Sequence, residues 1–297
     1  MKKLLIIAGP TASGKTSLSI QCAKYFDGEI ISADSMQVYK YLDVGTAKIT
    51  EEEKCGIPHH LLDIVSPLEN FNTYDYRQLA LSKIDDITKR GKTPIIVGGT
   101  GLYIDSILYN MSFLSRDVTL RDELNREAEE KGVEYMYAKL AEIDPEAHAR
   151  LHVNDIRRVV RAIEVALCGK NNKDDLQQAV FPYTMAVLEG DREILYNRIN
   201  ERVDKMFANG LEKEVDCLLS MGVTKENTCM QAIAYKELLA YKNGEYDIDR
   251  CVELIKQRSR HYAKRQITWF KKYNDAVRIN FLDIENEFNK IIENYGE

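Results

Sequence analysis

Short, almost wholly apolar runs alternate with longer amphipathic segments along most of this chain. The first run, at residues 4–7, has no polar residue, and the run at 93–97 is nearly as apolar. Runs of this length without polar alternation are typical of parallel strands that are buried on both faces. Further strands are predicted at 29–33, 185–188 and 277–281. The alternation of these strands with helical segments predicts an α/β fold with a parallel sheet.

The middle of the chain follows a different pattern. Between residues 115 and 183 the sequence is rich in glutamate, alanine, arginine and leucine, without a convincing strand pattern. We therefore predict an all-helical insertion domain at 115–183, so that the α/β core comprises 1–114 and 184–297. The helices predicted inside the insertion cover 121–131, 133–143 and 154–168.

The composition is that of an ordinary globular protein, and it argues against several kinds of site and segment. The 297 residues carry a net charge of −6, so a surface that binds nucleic acid must be local. The six cysteines form no C-x-x-C pair, which disfavours a disulfide framework or a zinc site. The first apolar run ends too early for a signal peptide, and no run is long enough to cross a membrane. We expect a cytoplasmic protein without a membrane segment.

The first predicted strand leads into a glycine-rich loop, which is the clearest candidate site. The loop fits the phosphate-binding pattern G-x-x-x-x-G-K-[ST], and apolar residues at helical spacing follow it. Glycine lets backbone N–H groups approach an anion, and the following helix adds the positive end of its dipole. Lys15 supplies a positive charge, and the Thr16 hydroxyl is a candidate ligand of Mg2+. The residues predicted to bind a diphosphate or triphosphate are Gly9, Pro10, Thr11, Ala12, Ser13, Gly14, Lys15 and Thr16.

Polar residues also follow the next predicted core strands. Asp34 comes directly after the strand at 29–33, and Thr100 stands in the glycine-rich loop after the strand at 93–97. The carboxyl ends of parallel strands meet at one edge of the sheet, where such folds bind ligands. We expect Asp34 and Thr100 to lie at the same edge as the phosphate loop. Arginines at regular spacing in 192–202 are suited to a lid over the phosphates.

Cationic residues concentrate in two predicted helices. In the last helix of the insertion, Arg157, Arg158 and Arg161 form a stripe away from the apolar face, which favours an anion-binding surface. The helix predicted at 249–273 is more basic. Residues 256–278 contain eight cations and one acid, a net charge of +7, with aromatic residues between them. This pattern is typical of a surface that binds the phosphate backbone of a nucleic acid.

Several further motifs occur in a fixed order along the chain. They are Asp-Ser-x-x-x-Tyr at 34–39, Asp-Val-Gly-Thr-Ala-Lys at 43–48, Pro-His-His-Leu-Leu-Asp at 58–63, Val-Gly-Gly-Thr at 97–100, Asn-Asp at 154–155 and Lys-Arg-Gln-x-Thr-Trp-Phe at 264–270. Together with the phosphate loop, they resemble the tRNA dimethylallyltransferase (tRNA isopentenyltransferase) family over essentially the whole chain. The resemblance implies a P-loop nucleotide-kinase-like parallel sheet core with an all-helical insertion domain.

The resemblance also implies a reaction. A dimethylallyl group passes from dimethylallyl diphosphate to N6 of the adenine immediately 3′ of the anticodon in tRNA, and diphosphate leaves with the help of Mg2+. The implied partners are dimethylallyl diphosphate and the anticodon stem-loop of tRNA, and we expect a monomer. The adenine amine is a poor nucleophile because its lone pair is delocalised into the ring, so the reaction needs a general base.

Matching positions in the motifs imply roles for individual residues. Asp34 corresponds to the general base, Thr100 to a threonine beside the diphosphate and adenine, and Arg202 to an arginine on the diphosphate. The segments that match tRNA contacts are 34–37, 157–161, 231–236 and 264–270. The tRNA-binding residues implied in this way are Asp34, Ser35, Met36, Gln37, Thr100, Arg121, Arg157, Arg158, Val159, Val160, Arg161, Gln231, Lys236, Lys264 and Arg265.

One position departs from the family pattern. Ala234 stands where the family usually has the glycine of a Gly-Tyr-Lys sequence. An added methyl group at this position could shift a close backbone contact. The segment around Ala234 is therefore where we expect the site to deviate from the family.

The sequence is also compatible with three other functions. A small-molecule P-loop kinase shares the phosphate loop, the sheet and the arginines, but it leaves the basic helix unexplained. An adenine-nucleotide isopentenyltransferase needs neither the insertion nor the basic helix. A non-catalytic nucleotide switch that binds RNA is the third alternative, although the chain contains no D-x-x-G motif, which disfavours a GTPase.

Overall fold

The chain folds into two compact units in a computed structural model. The structure describes residues 3–109, 118–168 and 179–296. One unit consists of residues 1–108 and 180–297, and the other of residues 109–179. The predicted start of the insertion, residue 115, lies outside the described residues.

The first unit contains a six-stranded sheet and the helices around it. Its strands are β1 (Leu4–Ala8), β2 (Gly28–Ser32), β3 (His59–His60), β4 (Thr93–Gly98), β5 (Tyr183–Glu189) and β6 (Val277–Asn280). Its helices are α1 (Lys15–Tyr25), α2 (Thr73–Lys89), α3 (Gly101–Leu108), α7 (Arg192–Ala208), α8 (Leu211–Ser220), α9 (Tyr235–Lys242), α10 (Ile248–Phe270) and α11 (Ile284–Gly296), with a short 3-10 helix at Thr228–Gln231. The helices of the second unit are α4 (Val118–Ile143), α5 (Pro145–Arg150) and α6 (Ile156–Leu167).

All neighbouring strands of the sheet run parallel, in the order β3-β2-β4-β1-β5-β6. Every residue of β1 is buried, as expected for a central strand covered on both faces. On one face, Leu5 and Ile7 pack in the same apolar cluster as Leu18 of α1 and Ile291 of α11. The predicted α/β fold with a parallel sheet is confirmed, and all five predicted strands are present.

The edge strand β3 has no counterpart in the sequence prediction, because two histidines do not form an apolar run. His59 and His60 pair in parallel with β2. The Nε2 atom of His60 lies 2.8 Å from Oε2 of Glu29, a buried carboxylate that also pairs with Arg90. The histidine pair therefore stabilises the edge of the sheet.

The second unit is helical, with an interruption at Gly132. This glycine has a φ of 82° inside α4 and separates two helical stretches, at the position between the predicted helices 121–131 and 133–143. Helices α4, α5 and α6 share one apolar core. In the part of the chain that the structure describes, no helix combines the length and apolar character needed to span a membrane.

Two residues that were predicted to contact RNA lie in the apolar core of the second unit. Val159 and Val160 of α6 are 0% and 3% exposed, and they pack in the same cluster as Leu124 of α4. Val159 joins this face because it lies one helical turn from Ile156. The two valine side chains are therefore structural and offer no surface to RNA. Any contact made by side chains of this segment must come from its arginines.

Candidate functional site

The candidate site is a cavity of about 400 Å3 beside the carboxyl ends of β1, β2 and β4. Residues 11–16 of the phosphate loop, residues 34–37 after β2, and Arg202 of α7 all line it. These groups were predicted from separate motifs, and the fold places them in one cavity. Helix α10 adds four polar residues to the lining, namely Ser259, Tyr262, Arg265 and Gln266.

The phosphate loop is held in shape by its own backbone. Gly14 is the N-cap of α1 with a φ of 85°, a left-handed conformation that glycine adopts without a steric penalty. Ala12 also has a positive φ, and the Ser13 hydroxyl donates a hydrogen bond to the Pro10 carbonyl at 2.8 Å. The first N–H groups of a helix have no partner within the helix. The loop therefore brings the N-terminus of α1, with its positive dipole end, to the cavity.

Lys15 is the cation of this loop. Its Nζ donates hydrogen bonds to the carbonyls of Gly9 at 3.1 Å and Pro10 at 2.6 Å. Burial lowers the pKa of Lys15 to about 7, and the nearby charge of Arg202 contributes to this shift while Asp34 opposes it. An anion that enters the cavity favours the protonated amine. Lys15 is therefore suited to bind a diphosphate.

Asp34 begins a tight turn directly after β2. Its Oδ1 atom accepts hydrogen bonds from the N–H groups of Met36 at 2.8 Å and Gln37 at 3.2 Å, the pattern of an Asx turn. Within the described residues, no hydrogen bond reaches Oδ2. One oxygen of the carboxylate thus orients the group, and the other is available to accept a proton in the cavity.

Thr100 connects the end of β4 to the turn that carries Asp34. Its N–H donates to the carbonyl of Ala33 at 3.1 Å, and its Oγ1 accepts from the N–H of Ser35 at 3.1 Å. Among the described residues, Thr100 is not part of the cavity lining.

Burial and the charge of Asp34 raise the pKa of Tyr262 to about 12, although a hydrogen bond with Thr100 opposes this shift.

Arg202 reaches the cavity from α7. Its Nη2 donates to the carbonyl of Thr46 at 2.8 Å, and the same carbonyl accepts from Nε2 of Gln37 at 3.3 Å. Burial lowers the pKa of Arg202, whereas the charge of Asp34 raises it, and a guanidinium remains protonated throughout the neutral range. Lys15 and Arg202 therefore place two cations next to the Asp34 carboxylate.

The other arginines of the predicted lid lie elsewhere. The guanidinium of Arg198 lies 5.0 Å from the ring centroid of Phe281. Arg192 lines a separate cavity that also contains Glu189 and Arg278. Of the three regularly spaced arginines, only Arg202 lines the cavity that holds the phosphate loop, in the part of the chain that the structure describes.

Part of the cavity wall is apolar. Aliphatic side chains from α7, from the turn before α9 and from α10 form it: Ile199, Val203, Met206, Ile233, Ala234 and Ile255. A cavity with cations and helix N–H groups as well as hydrocarbon walls fits a ligand that carries both an anionic and an apolar group.

Ala234 lies in this wall with an unfavourable backbone conformation. Its φ is 84° and its ψ is −47°, and the residue is 1% exposed. Its N–H donates to Oε2 of Glu237 at 2.7 Å, which holds the turn in place. An L-residue rarely adopts a positive φ because its Cβ approaches the backbone, whereas glycine has no such restriction. The departure from the family glycine therefore has a cost in backbone strain.

We expect Ala234→Gly to raise the free energy of unfolding by about 1 kcal/mol, because relief of strain outweighs the loss of one buried methyl group. Chemical denaturation measures this difference. Ala232→Gly is the matched control, since Ala232 is buried with an ordinary φ of −64°. That control is expected to lose about 0.5–1 kcal/mol. A loss of stability in Ala234→Gly would show that the observed φ carries no strain.

The basic segment 256–278 presents fewer free cations than its sequence suggests. Four of its cations pair with carboxylates from distant parts of the chain: Lys256 with Asp204, Arg258 with Glu237, Lys272 with Asp105 and Arg278 with Glu189. Lys264, Arg265 and Lys271 are exposed and have no carboxylate partner within the described residues. The free positive charge of this segment is therefore concentrated near the C-terminal end of α10.

The arginine stripe of α6 is likewise partly neutralised. Nη1 of Arg161 lies 2.8 Å from Oε1 of Glu164, a residue that is 2% exposed, and Nε of Arg121 lies 4.0 Å from the other oxygen. Arg158 pairs with Asp155 at 3.3 Å, but both Arg157 and Arg158 are exposed. The stripe therefore retains cations at the surface, while Arg161 and Arg121 also stabilise a buried carboxylate.

The remaining predicted contact residues divide between the cavity and the surface. Ser35, Met36, Gln37 and Gln231 line the cavity, and Lys236 is exposed on α9. Two of these side chains also hold local structure, since Gln231 donates to the Lys225 carbonyl at 2.7 Å and Gln37 donates to Thr46.

Sequence reasoning assigned no individual role to three residues that shape the site. Tyr262 and Gln266 lie four residues apart on the buried side of α10, and only Gln266 falls inside a recognised motif. Glu214 of α8 accepts hydrogen bonds from the N–H groups of residues 43–45 at 2.7–3.0 Å. It thereby holds the loop whose Thr46 carbonyl binds Arg202. No sequence signal links an acid at 214 to this distant loop.

Comparisons with known proteins agree with this geometry. Residues 37–273 match the family described as IPP transferase. A tRNA dimethylallyltransferase of Acetivibrio thermocellus is 49% identical over 302 residues, which cover 99% of this chain and 96% of that protein. The solved tRNA delta(2)-isopentenylpyrophosphate transferase of Staphylococcus epidermidis is 42% identical, with a TM-score of 0.74 and 99% coverage of both chains. A eukaryotic dimethylallyltransferase acting on tRNA is 32% identical with a TM-score of 0.84, covering 98% of this chain and 78% of that chain. Since the family match and near full-length relatives agree with the motifs, this chain belongs to the IPP transferase family.

Proposed function

We propose that this protein is a tRNA dimethylallyltransferase, which transfers a dimethylallyl group from dimethylallyl diphosphate to tRNA and releases diphosphate. Membership of the IPP transferase family supports this activity. The observation that carries it is a single cavity lined by the phosphate loop, by the Asp34 carboxylate and by an apolar wall. The acceptor atom is N6 of the adenine immediately 3′ of the anticodon, and the enzyme acts as a cytoplasmic monomer.

The donor contacts both the cationic part of the cavity and its apolar wall. Lys15, Arg202 and the N-terminus of α1 bind the diphosphate, and the apolar wall packs against the dimethylallyl group. Mg2+ commonly takes one or two protein oxygens together with phosphate oxygens, so the exposed Thr16 hydroxyl in the cavity lining fits this role. When bound, the metal neutralises charge on the diphosphate. Lys15 and Arg202 stabilise the same charge as it develops on the leaving oxygen.

Asp34 is the general base of the proposed reaction. As the bond between N6 and the allylic carbon forms, the bond from that carbon to the diphosphate oxygen breaks, and the N6 proton passes to Asp34. The hydrogen bonds to Oδ1 orient the carboxylate so that Oδ2 receives the proton. The adenine cannot reach this site while stacked in the anticodon loop, so it is turned out of the stack.

The tRNA backbone binds to cations on both units. In the sheet unit, the exposed Lys264 and Arg265 of α10 supply this charge, with Gln231 and Lys236 near the turn before α9. In the helical unit, the exposed Arg157 and Arg158 supply it. Phosphate contacts of this kind explain how a protein with a net charge of −6 binds RNA.

Salt dependence tests this surface. We expect Lys264→Ala to reduce the slope of log affinity against log salt by about 0.7–0.9, because one phosphate contact no longer releases a counterion. Lys256→Ala is the matched control, since Lys256 lies on the same helix but pairs with Asp204 at 2.6 Å, and its slope stays that of the wild type. Filter binding of unmodified tRNA between about 50 and 200 mM salt measures both slopes. Equal slopes for the two variants would show that Lys264 makes no contact with an RNA phosphate.

A substrate-choice assay tests the proposed function directly. The wild-type protein is incubated with Mg2+ and labelled dimethylallyl diphosphate, together with unmodified tRNA or with AMP, ADP or ATP. We expect label only in tRNA, at the adenine 3′ of the anticodon. Label in the free nucleotide would identify an adenine-nucleotide isopentenyltransferase. No transfer, with phosphate passing from ATP to a small molecule, would identify a kinase.

A further inference from the structure

Gln266 of α10 joins two loops of the site through its side-chain amide. The residue is 5% exposed. Its Oε1 accepts a hydrogen bond from the N–H of Thr11 at 2.9 Å, and its Nε2 donates to the carbonyl of Gly99 at 3.0 Å. Thr11 belongs to the phosphate loop after β1, and Gly99 follows β4. One buried side chain therefore bridges the carboxyl ends of two adjacent strands.

The loop after β4 is shaped to receive this amide. A Cβ on Gly99 would overlap Nε2 of Gln266, so a larger residue at position 99 would displace the glutamine side chain. With glycine at position 99, the glutamine amide occupies the space that a Cβ would take. The close packing indicates that the amide has one defined position.

The bridge continues toward the general base. Beyond Gly99, the Thr100 hydroxyl accepts from the N–H of Ser35, which directly follows Asp34. A series of hydrogen bonds thus leads from the phosphate loop at Thr11, through Gln266 and residues 99–100, to the turn that carries the carboxylate. Gln266 therefore links the phosphate loop, which binds the leaving diphosphate, to Asp34, which accepts the N6 proton.

Only a neutral amide performs both parts of this contact. A glutamate would accept from the Thr11 N–H, but it could not donate to the Gly99 carbonyl and would add a negative charge near the diphosphate. A leucine of similar size would leave the partly buried Thr11 N–H and the buried Gly99 carbonyl without this partner, at a cost of about 1–3 kcal/mol for the buried carbonyl.

We infer that Gln266 is a positioning residue of the transfer reaction, which sets the phosphate loop at a fixed place relative to Asp34. The inference rests on the proposed function and adds a residue that acts through the two loops its amide joins. Loss of the bridge lets the bound diphosphate shift relative to the base. A displacement of about 1 Å between reacting groups lowers a rate by about 100-fold.

The test compares Gln266→Leu with Gln257→Leu, the same substitution at an exposed position of the same helix. We expect kcat at saturating donor and tRNA to fall about 10- to 100-fold in Gln266→Leu, with the Kd for tRNA within about twofold of wild type. Gln257→Leu keeps the wild-type kcat. Rates are measured well below the melting temperature of each variant, so that a purely structural role of Gln266 would leave kcat unchanged.

A second pair of variants keeps the test decisive if Gln266→Leu does not fold. Gln266→Glu retains the size and the acceptor for Thr11, and we expect a higher KM for dimethylallyl diphosphate together with a lower kcat. Gly99→Ala displaces the same amide, so its effect and that of the Gln266 variant should not add in the double variant. Wild-type kcat in the folded Gln266 variants, or additive effects with Gly99→Ala, would overturn the inference. If the wild type itself transfers no label to tRNA, it is the proposed function that fails.

Discussion

Asp34→Asn is expected to lower kcat for transfer to tRNA by about 100-fold or more, because the variant loses the proton acceptor for N6. The substitution preserves the local structure, since the asparagine side-chain oxygen can still accept from the N–H groups of Met36 and Gln37. The Kd for tRNA should therefore stay within about threefold of the wild-type value. Single-turnover transfer of label from saturating donor measures the chemical step separately from binding.

Asp191→Asn is the matched control for this variant. Asp191 caps α7, and its Oδ1 accepts from the N–H groups of Glu193 and Ile194 at 2.8 and 3.0 Å, the same local pattern as that of Asp34. Asparagine is an equally good cap, so this variant should transfer label at the wild-type rate. If Asp34→Asn also kept a rate within about threefold of wild type, Asp34 would not be the general base.

Lys15→Met is expected to lower kcat/KM for dimethylallyl diphosphate by about 100-fold or more, since the developing charge on the leaving diphosphate loses a cation of the phosphate loop. Methionine retains much of the side-chain length without the charge. Binding of tRNA should persist, because the lysine lies in the phosphate loop and its amine contacts Gly9 and Pro10. Lys24→Met, at an exposed position of the same helix, should leave donor use unchanged.

The same lysine predicts a pH dependence of donor binding. In the free protein, burial lowers the pKa of Lys15 to about 7, whereas a bound diphosphate favours the protonated amine and raises this pKa. Donor binding therefore takes up a proton above pH 7, and the donor Kd should rise by up to about tenfold per pH unit there. Below pH 7 the amine is already protonated, so this dependence disappears. In Lys15→Met the dependence should be absent at all pH values, and its persistence would assign it to another group.

Local patterns along the sequence were sufficient to predict the sheet and the separate parts of the site. A buried parallel strand requires an apolar run, and a phosphate loop requires glycine and lysine at fixed spacing, so β1 and residues 9–16 follow from short segments. Asp34 was predicted at the binding edge because the carboxyl ends of parallel strands share that edge. Strand β3 was missed, because its pairing with β2 does not depend on an apolar pattern.

Charge was the property that the sequence predicted least well. The count of +7 in 256–278 considered only neighbours along the chain, but Asp204, Glu237, Asp105 and Glu189 come from other elements and neutralise four of its cations. The same reason applies to Val159 and Val160, which motif matching placed at the RNA and the fold places in the core of the helical unit. Coulomb pairing and burial depend on distance in space, which a linear window does not contain.

Short sequence patterns were therefore enough to predict the parallel α/β core, the phosphate loop, the position of Asp34 at its edge and the family to which the chain belongs. Each depends on spacing along the chain, because backbone geometry converts that spacing directly into local structure. The three-dimensional fold was needed to find that Gln266 bridges Thr11 and Gly99 and to identify the cations that remain free. The positive φ of Ala234 likewise becomes evident only in the fold. These properties arise where segments distant in sequence meet, since packing and hydrogen bonding between them set the side-chain positions and the backbone strain.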